Sequence, residues 1–404
     1  MKYDLVFEGG GAKGMVLVGA YEEFARRGHS HGRLLGTSAG AISATLLAAG
    51  YTPDEMQAAL NEQKDGRPVF ASFMGVPLPF TAEEVRSGAI RALLRDIDVT
   101  FVPGFIEDRM DDAIAQTLAN DPRSRHMFAF VERGGWYAAD AFVAWLQNKL
   151  DSGTFQDKPR QFSQNTLAQF HAATQVDLSL VVSDTSEGRL LVLNHRTAPD
   201  CSLVWAVRMS MSIPLVWDEV IWDARWGAYL GQPIAGHAMV DGGLLSNFPI
   251  ELFISGEPQV TRLMGPKGSD PVLGLLIDES LPVPPLAEPA VEPEALVQIN
   301  VKPQELRTVQ RILRLVNTAT TAHDKMVIDE FNHLVVRLPA AGYGTTEFDM
   351  SEERRKALVQ AGRTAVARYF DQPPVEAPTP SGPAAAAARS QDIADRIALD
   401  ILGQ

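Results

Sequence analysis

Apolar residues fall along this chain in two rhythms. Over residues 3–8 (YDLVFE) and 33–36 they form short continuous runs, as expected of strands covered on both faces. Between these runs, Val16, Ala20 and Phe24 recur at helical spacing over residues 15–27. A second helix-prone run spans 39–49, closed by Gly50 with Pro53 shortly beyond. Strand, helix, strand, helix within the first fifty residues predicts a parallel sheet with helices on its faces.

The pattern loosens over residues 61–133. The stretch VFASFMGVPLPF (69–80) is aromatic and proline-punctuated, and Thr81 and Glu84 then have capping-box spacing for a helix to about residue 96. This segment reads either as a lid over a site or as a structural insertion. Regularity returns with helices over 138–150 and 166–173 and with strands LSLVVSD and RLLVLN around the turn at Glu187-Gly188. A helix over 206–212 stops at Ile213-Pro214, and HAMVDGG and PVLGLLID read as further strands. A proline-rich loop covers about 280–304, and the last regular block runs to 371. Residues 372–390 read as a linker. Residues 391–404 form an amphipathic helix with Ile393, Ile397, Ile401 and Leu402 on one face. Its polar side carries Asp392, Asp395 and Asp400 with Arg396 the only base, unlike the Lys/Arg-rich face of membrane-surface helices. A protein surface, either this chain's own or a partner's, is its expected dock.

Composition adds limits. With 46% hydrophobic and 21% charged residues among 404, the chain can bury a large core. A net charge of −14 without clustered Lys and Arg argues against nucleic acid and against unaided adsorption to anionic lipid. A lone Cys201 rules out an intrachain disulfide and fits a reducing compartment. No secretory signal is expected, and the longest weakly polar run, 34–50, falls short of the ~20 residues of a spanning helix. The expected location is the cytoplasm, with peripheral contact at membranes.

Three short motifs carry candidate chemistry. In GGGAKG, Gly9, Gly11 and Gly14 satisfy the dinucleotide-binding pattern, but HSHGRLLG supplies no acidic residue about 20 positions later to hold a ribose. A phosphate-binding loop fails too, since Lys13 precedes Gly14 and no G-K-[ST] follows. Two readings remain for this loop: a tight turn, or backbone N–H groups converging on a carbonyl oxygen under attack. In GTSAG, Ser38 lies between Gly36 and Gly40 where a strand meets a helix, so it is a nucleophile on a sharp turn or a small residue in a crowded corner. In VDGG, Asp241 ends an apolar strand before Gly242 and Gly243. It is a candidate base at the sheet edge, or only part of a turn. None of the eight histidines (His29, His31, His126, His171, His195, His237, His323, His333) sits in such a turn.

Taken together, these motifs resemble the patatin-like phospholipase family. The resemblance rests on GGGAKG, GTSAG, VDGG with Asn247 and Pro249 after it, and AVRMSMSIPLVW. It covers residues 1–60, about 134–280 and about 323–371, with no motif residue missing, so an inactive relative is not expected. It implies a three-layer α/β/α fold with a mainly parallel sheet over residues 1–371, carrying an inserted helical cap segment. It also implies a Ser-Asp dyad that hydrolyses lipid acyl esters without a histidine, a metal or another cofactor. By position Ser38 is then nucleophile and Asp241 base, and the amides of Gly10, Gly11 and Ala12 form the oxyanion hole. Lys13 stands where the family often has a basic residue. The expected substrate is a lipid or membrane-derived acyl ester. Two rival classes are a dinucleotide-binding oxidoreductase using the Gly9 to Gly14 loop, which leaves Ser38 and Asp241 unexplained, and a non-catalytic interaction protein.

Overall fold

Strands buried on both faces must be covered twice, and the chain does this with two helical layers. A computed structural model describes residues 1–64, 66–89, 116–117, 119–284, 330–372 and 383–403. Its eight-stranded sheet comprises β1 (Lys2–Phe7), β2 (Ser30–Thr37), β3 (Leu178–Asp184), β4 (Arg189–Leu193), β5 (Val220–Ile221), β6 (Ala238–Asp241), β7 (Val272–Pro282) and β8 (Val335–Ala341). The order is β5-β6-β3-β2-β1-β7-β8, with β4 also paired to β3. Pairs among β3, β2, β1, β7 and β8 are parallel, whereas β4 and β6 run antiparallel to β3. The antiparallel course of β6 departs from the simple parallel picture drawn for Asp241, and it decides the geometry of the site.

The helices include α1 (Met15–Arg26), α2 (Ala39–Ala48), α3 (Pro53–Leu60), α4 (Asp140–Asp151), α5 (Leu203–Ser210), α6 (Glu251–Ile254), α7 (Pro258–Met264), α8 (Glu352–Asp371) and α9 (Pro383–Ile401). Alternation along the strands sorts side chains between two cores. Leu5, Phe7, Leu34, Leu180 and Leu275 pack with Val16 of α1, Leu47 of α2, Phe142 of α4, Leu203 of α5 and Leu358 of α8. Val6, Leu35, Val181 and Leu276 pack on the other side with Phe253, Leu263 and the fully buried Ala394 and Ala398 of α9. The result is a three-layer α/β/α arrangement.

The tail helix thus closes the thinner layer of its own chain, with Ile393, Ile397, Ile401 and Leu402 against that core. Asp395, expected on a solvent face, accepts hydrogen bonds from Ser255 Oγ (2.6 Å) and the Gly256 N–H (2.8 Å). The helix starts earlier than expected: residues 383–390, read as linker, are its first turns, while 373–382 lie outside the described residues.

Other boundaries moved for local reasons. Pro53 was expected only as a stop, yet it opens α3 at the first helical position. Thr52 caps that helix in a reciprocal box with Glu55. The helix capped by Thr81 runs over Ala82–Ser87 and stops at Gly88, whose backbone is extended (φ −74°, ψ 155°), short of the expected end near 96; residues 90–96 lie outside the described residues. Strand β7 extends to Pro282, into the span expected as loop. Within the 69–80 stretch, Phe70 and Phe73 are buried against Trp145, whereas Val76 and Leu78 are exposed.

Candidate active site

Strand β3 is the template of the site. Its one edge pairs with β4, so β2 and β6 must share the other. β2 arrives with Thr37 opposite Val181, and β6 arrives from the opposite direction with Asp241 opposite Val182. The two strands therefore meet end to end. Ser38, the residue after Thr37, is brought beside the Asp241 carboxylate.

Ser38 sits at the N-cap of α2 with φ 53° and ψ −119°, a conformation that costs a non-glycine residue roughly 1–3 kcal/mol. The surroundings hold it there. Its N–H donates to Ser210 Oγ at 3.1 Å, and that hydroxyl donates in turn to the Val181 carbonyl at 2.7 Å. Its carbonyl accepts from the Ile42 N–H at 3.2 Å. Gly40 is forced by close approach, because a Cβ there would be driven into the Phe7 carbonyl. Gly36 packs in turn on Gly40. The helix N-terminus then favours negative charge developing near Ser38.

Asp241 is 4% exposed. Burial pushes its carboxyl up from 3.8 to about 7, against the opposing effects of the Ser38 hydroxyl and the Gly243 N–H, which donates to Oδ1 at 2.8 Å. A carboxylate tuned close to neutrality beside a hydroxyl is suited to exchange a proton with it. Gly242 packs on the Val181 carbonyl, and Gly243 lies beside Asn247. Among the described residues no histidine lines the cavity at Ser38. His237 pairs with Asp184 at 2.9 Å, His171 stacks on His195 at 3.6 Å, and His323 lies outside the described residues. Among the described residues no cluster could hold a metal ion.

The glycine loop is fastened from three sides. Asn247 Nδ2 donates to the Gly9 carbonyl at 2.9 Å and to Glu8 Oε1 at 3.1 Å, and the Gly9 N–H donates back to the Asn247 carbonyl at 3.3 Å. Gly14 packs directly on Ala39, the residue after Ser38. Lys13, 3% exposed, pairs with Glu279. Gly11 has φ 54° and a Cβ there would strike the Thr345 carbonyl, so only glycine fits. That turn aims the Ala12 N–H at Thr345 O (2.8 Å), which corrects its expected place among the free oxyanion donors. The N–H groups of Gly10 and Gly11 have no acceptor among the described residues.

From Ser38 opens a cavity of about 70 Å³. Met15, Leu46 and Met56 from α1, α2 and α3 line one side, and Phe70, Phe73, Trp217 and Phe348 the other. Such a lining accepts an apolar chain whose head stops at the hydroxyl. Composition gave no hint of this wall, nor of Ser210 or Thr345 as supports. Ser210 and Trp217 lie in the AVRMSMSIPLVW segment, which is the one sequence signal that pointed near them.

A strained serine, a buried aspartate and a glycine loop meet on the mixed sheet of a three-layer α/β/α fold. The chain belongs to the patatin-like phospholipase family, whose model matches residues 5–254. It is 24% identical over 387 residues to the uncharacterized protein YqhO of Bacillus subtilis (strain 168), covering 92% of this chain and 99% of that one. VipD from Legionella pneumophila is similar at TM-score 0.46 and 16% identity, over 91% of this chain and 66% of VipD. ExoU, in the ExoU-SpcU complex of the type III secretion system of Pseudomonas aeruginosa, follows at TM-score 0.38 and 17% identity, over 98% of this chain and 59% of ExoU.

Proposed function

We propose that this protein is a lipid acyl hydrolase of the phospholipase A or lysophospholipase type, with Ser38 as nucleophile and Asp241 as base. The observation that carries this reading is the buried Asp241 carboxyl, raised by burial to about 7 and placed beside the strained Ser38 at the mouth of an apolar cavity. Ionised Asp241 takes the hydroxyl proton as Ser38 Oγ attacks the ester carbonyl. The N–H groups of Gly10 and Gly11 receive the oxyanion, an interaction whose loss typically costs ~10²–10³ in rate. Collapse releases the alcohol, which takes the proton from Asp241 and leaves an acyl-enzyme. Water, deprotonated by Asp241, then attacks the acyl carbonyl, and the fatty acid leaves as Ser38 Oγ takes that proton back from Asp241.

No helix among the described residues is long and apolar enough to cross a membrane. Contact with lipid is therefore assigned to the surface, where Val76 and Leu78 stand exposed on the stretch that contributes Phe70 and Phe73 to the cavity wall. A fluorophosphonate probe tests the reading. It should label the protein at Ser38 and block release of fatty acid from a membrane extract, and a Ser38→Ala protein should show neither effect. A protein that hydrolyses lipid without labelling would remove Ser38 from the mechanism.

A further inference from the structure

On the edge of β6 away from β3, strand β5 pairs with Ala238 and Met239 and ends there, so the Asp241 N–H lies beyond its reach. The Ser212 carbonyl stands in for the missing strand and accepts that N–H at 2.9 Å. One turn thus serves both halves of the site. Ser210 Oγ accepts the N–H of Ser38, Ser212 two residues on accepts the N–H of Asp241, and Met211 and Ile213 line the cavity.

A single side chain fastens this turn. Arg208, 4% exposed, reaches past the end of α5: Nη1 donates to Ser212 Oγ, and Nη2 donates to the Asp218 carbonyl at 2.9 Å and to Asp218 Oδ1 at 2.5 Å. The Ser212 hydroxyl donates back to the Arg208 carbonyl at 2.6 Å. Asp218 follows the cavity residue Trp217, and its N–H donates to the Tyr137 carbonyl at 3.1 Å. Burial draws the Arg208 pKa down against the attraction of Asp218 and Asp140. A buried ion pair adds little net stability over apolar side chains of the same size, so the worth of this one is geometric. Its planar fork fixes Ser212 and Asp218 together, as neither an apolar chain nor an ammonium would.

We propose that Arg208 is a positioning residue for the dyad, holding Asp241 beside Ser38 through the Ser212 carbonyl. Arg208 does not line the cavity, so it acts through the turn and not on the substrate. The inference rests on the reading of Asp241 as base.

Steady-state hydrolysis of p-nitrophenyl butyrate between pH 5 and pH 8 tests it in Arg208→Met, Ser212→Ala and Asp241→Asn proteins, with circular dichroism to confirm folding. Arg208→Met and Ser212→Ala should each lower kcat about tenfold or more with KM almost unchanged, as expected of a misplaced reacting group. Both should also move the rising limb of the pH profile, centred near 7 in the parent, to lower pH, because a loosened Asp241 carboxyl gains water. Ser212→Ala decides the matter if Arg208→Met does not fold. Turnover unchanged in either folded variant, a loss carried by KM, or a lower kcat with the limb unmoved would each overturn the proposal. Full activity in Asp241→Asn would instead remove the base, and the proposal with it, so the two failures are told apart.

Discussion

Thr37 and Asp241 stand opposite neighbouring residues of one strand, Val181 and Val182, although their own strands run in opposite directions. Backbone pairing along β3 therefore fixes the distance between Ser38 and Asp241 before either side chain contributes. One residue of strand advances about 3.3 Å, so a slip of one position would separate the pair.

Ser38→Ala and Asp241→Asn should each lower ester hydrolysis by roughly three orders of magnitude or more, with the double variant little worse, since groups acting as one unit are not additive. Steady-state kinetics on a soluble ester, with circular dichroism to confirm folding, measures this.

Alanine at any of the eight histidines should leave most of the turnover intact. A folded histidine variant without activity would show a triad in place of a dyad.

The raised carboxyl of Asp241 predicts two opposite pH effects. Activity should rise with pH through about 7, as the base ionises. Between 3.8 and about 7 the folded chain holds a proton that the unfolded chain has lost, so this group's contribution to stability falls as pH rises. Asp241→Asn should remove that loss and be more stable than the parent at pH 8, by an amount on the order of a few kcal/mol. Denaturant titrations of both proteins at pH 5 and pH 8 provide the comparison.

Ser210→Ala removes the acceptor of the Ser38 N–H and the donor to Val181. Leaving those buried groups unmet should cost about 1–3 kcal/mol and lower kcat more than it raises KM, because the turn loses its positioning. Chemical denaturation and initial rates on one preparation report both.

Val76 and Leu78 are 53% and 55% exposed. Serine at both positions should weaken hydrolysis of vesicle substrate about tenfold, as expected from loss of apolar contact with lipid, and leave a monomeric ester unaffected. Equal loss on the two substrates would place these residues in folding.

Much of this was legible in the sequence wherever the signal is local. Ser38 and Asp241 announce themselves through glycine-framed turns at the ends of apolar runs, and the strands through runs covered on both faces. The direction of β6 was not legible, because four residues of strand carry no mark of the sense in which they pair. α3 was missed although Thr52, Pro53 and Glu55 spell a helix start. Thr345 and Phe348 reach the site from far along the chain; they lie in the block about 323–371 that the family resemblance covered, but no motif there marks them as site residues. For α9, the apolar stripe was evident but not the surface that receives it.

The clasp of Thr345 on Gly11 and Ala12 has a consequence for the order in which a ribosome delivers the parts. Ser38 and Asp241 emerge first, the strand β7 that flanks β1 follows, and the Thr345 carbonyl that steadies the glycine loop arrives after all of them. On the proposed mechanism, a nascent polypeptide therefore holds Ser38 and Asp241 before Thr345 can steady the loop assigned to the oxyanion. Chains arrested at Pro282 should accordingly remain silent toward fluorophosphonate, while chains released after Asp371 should react.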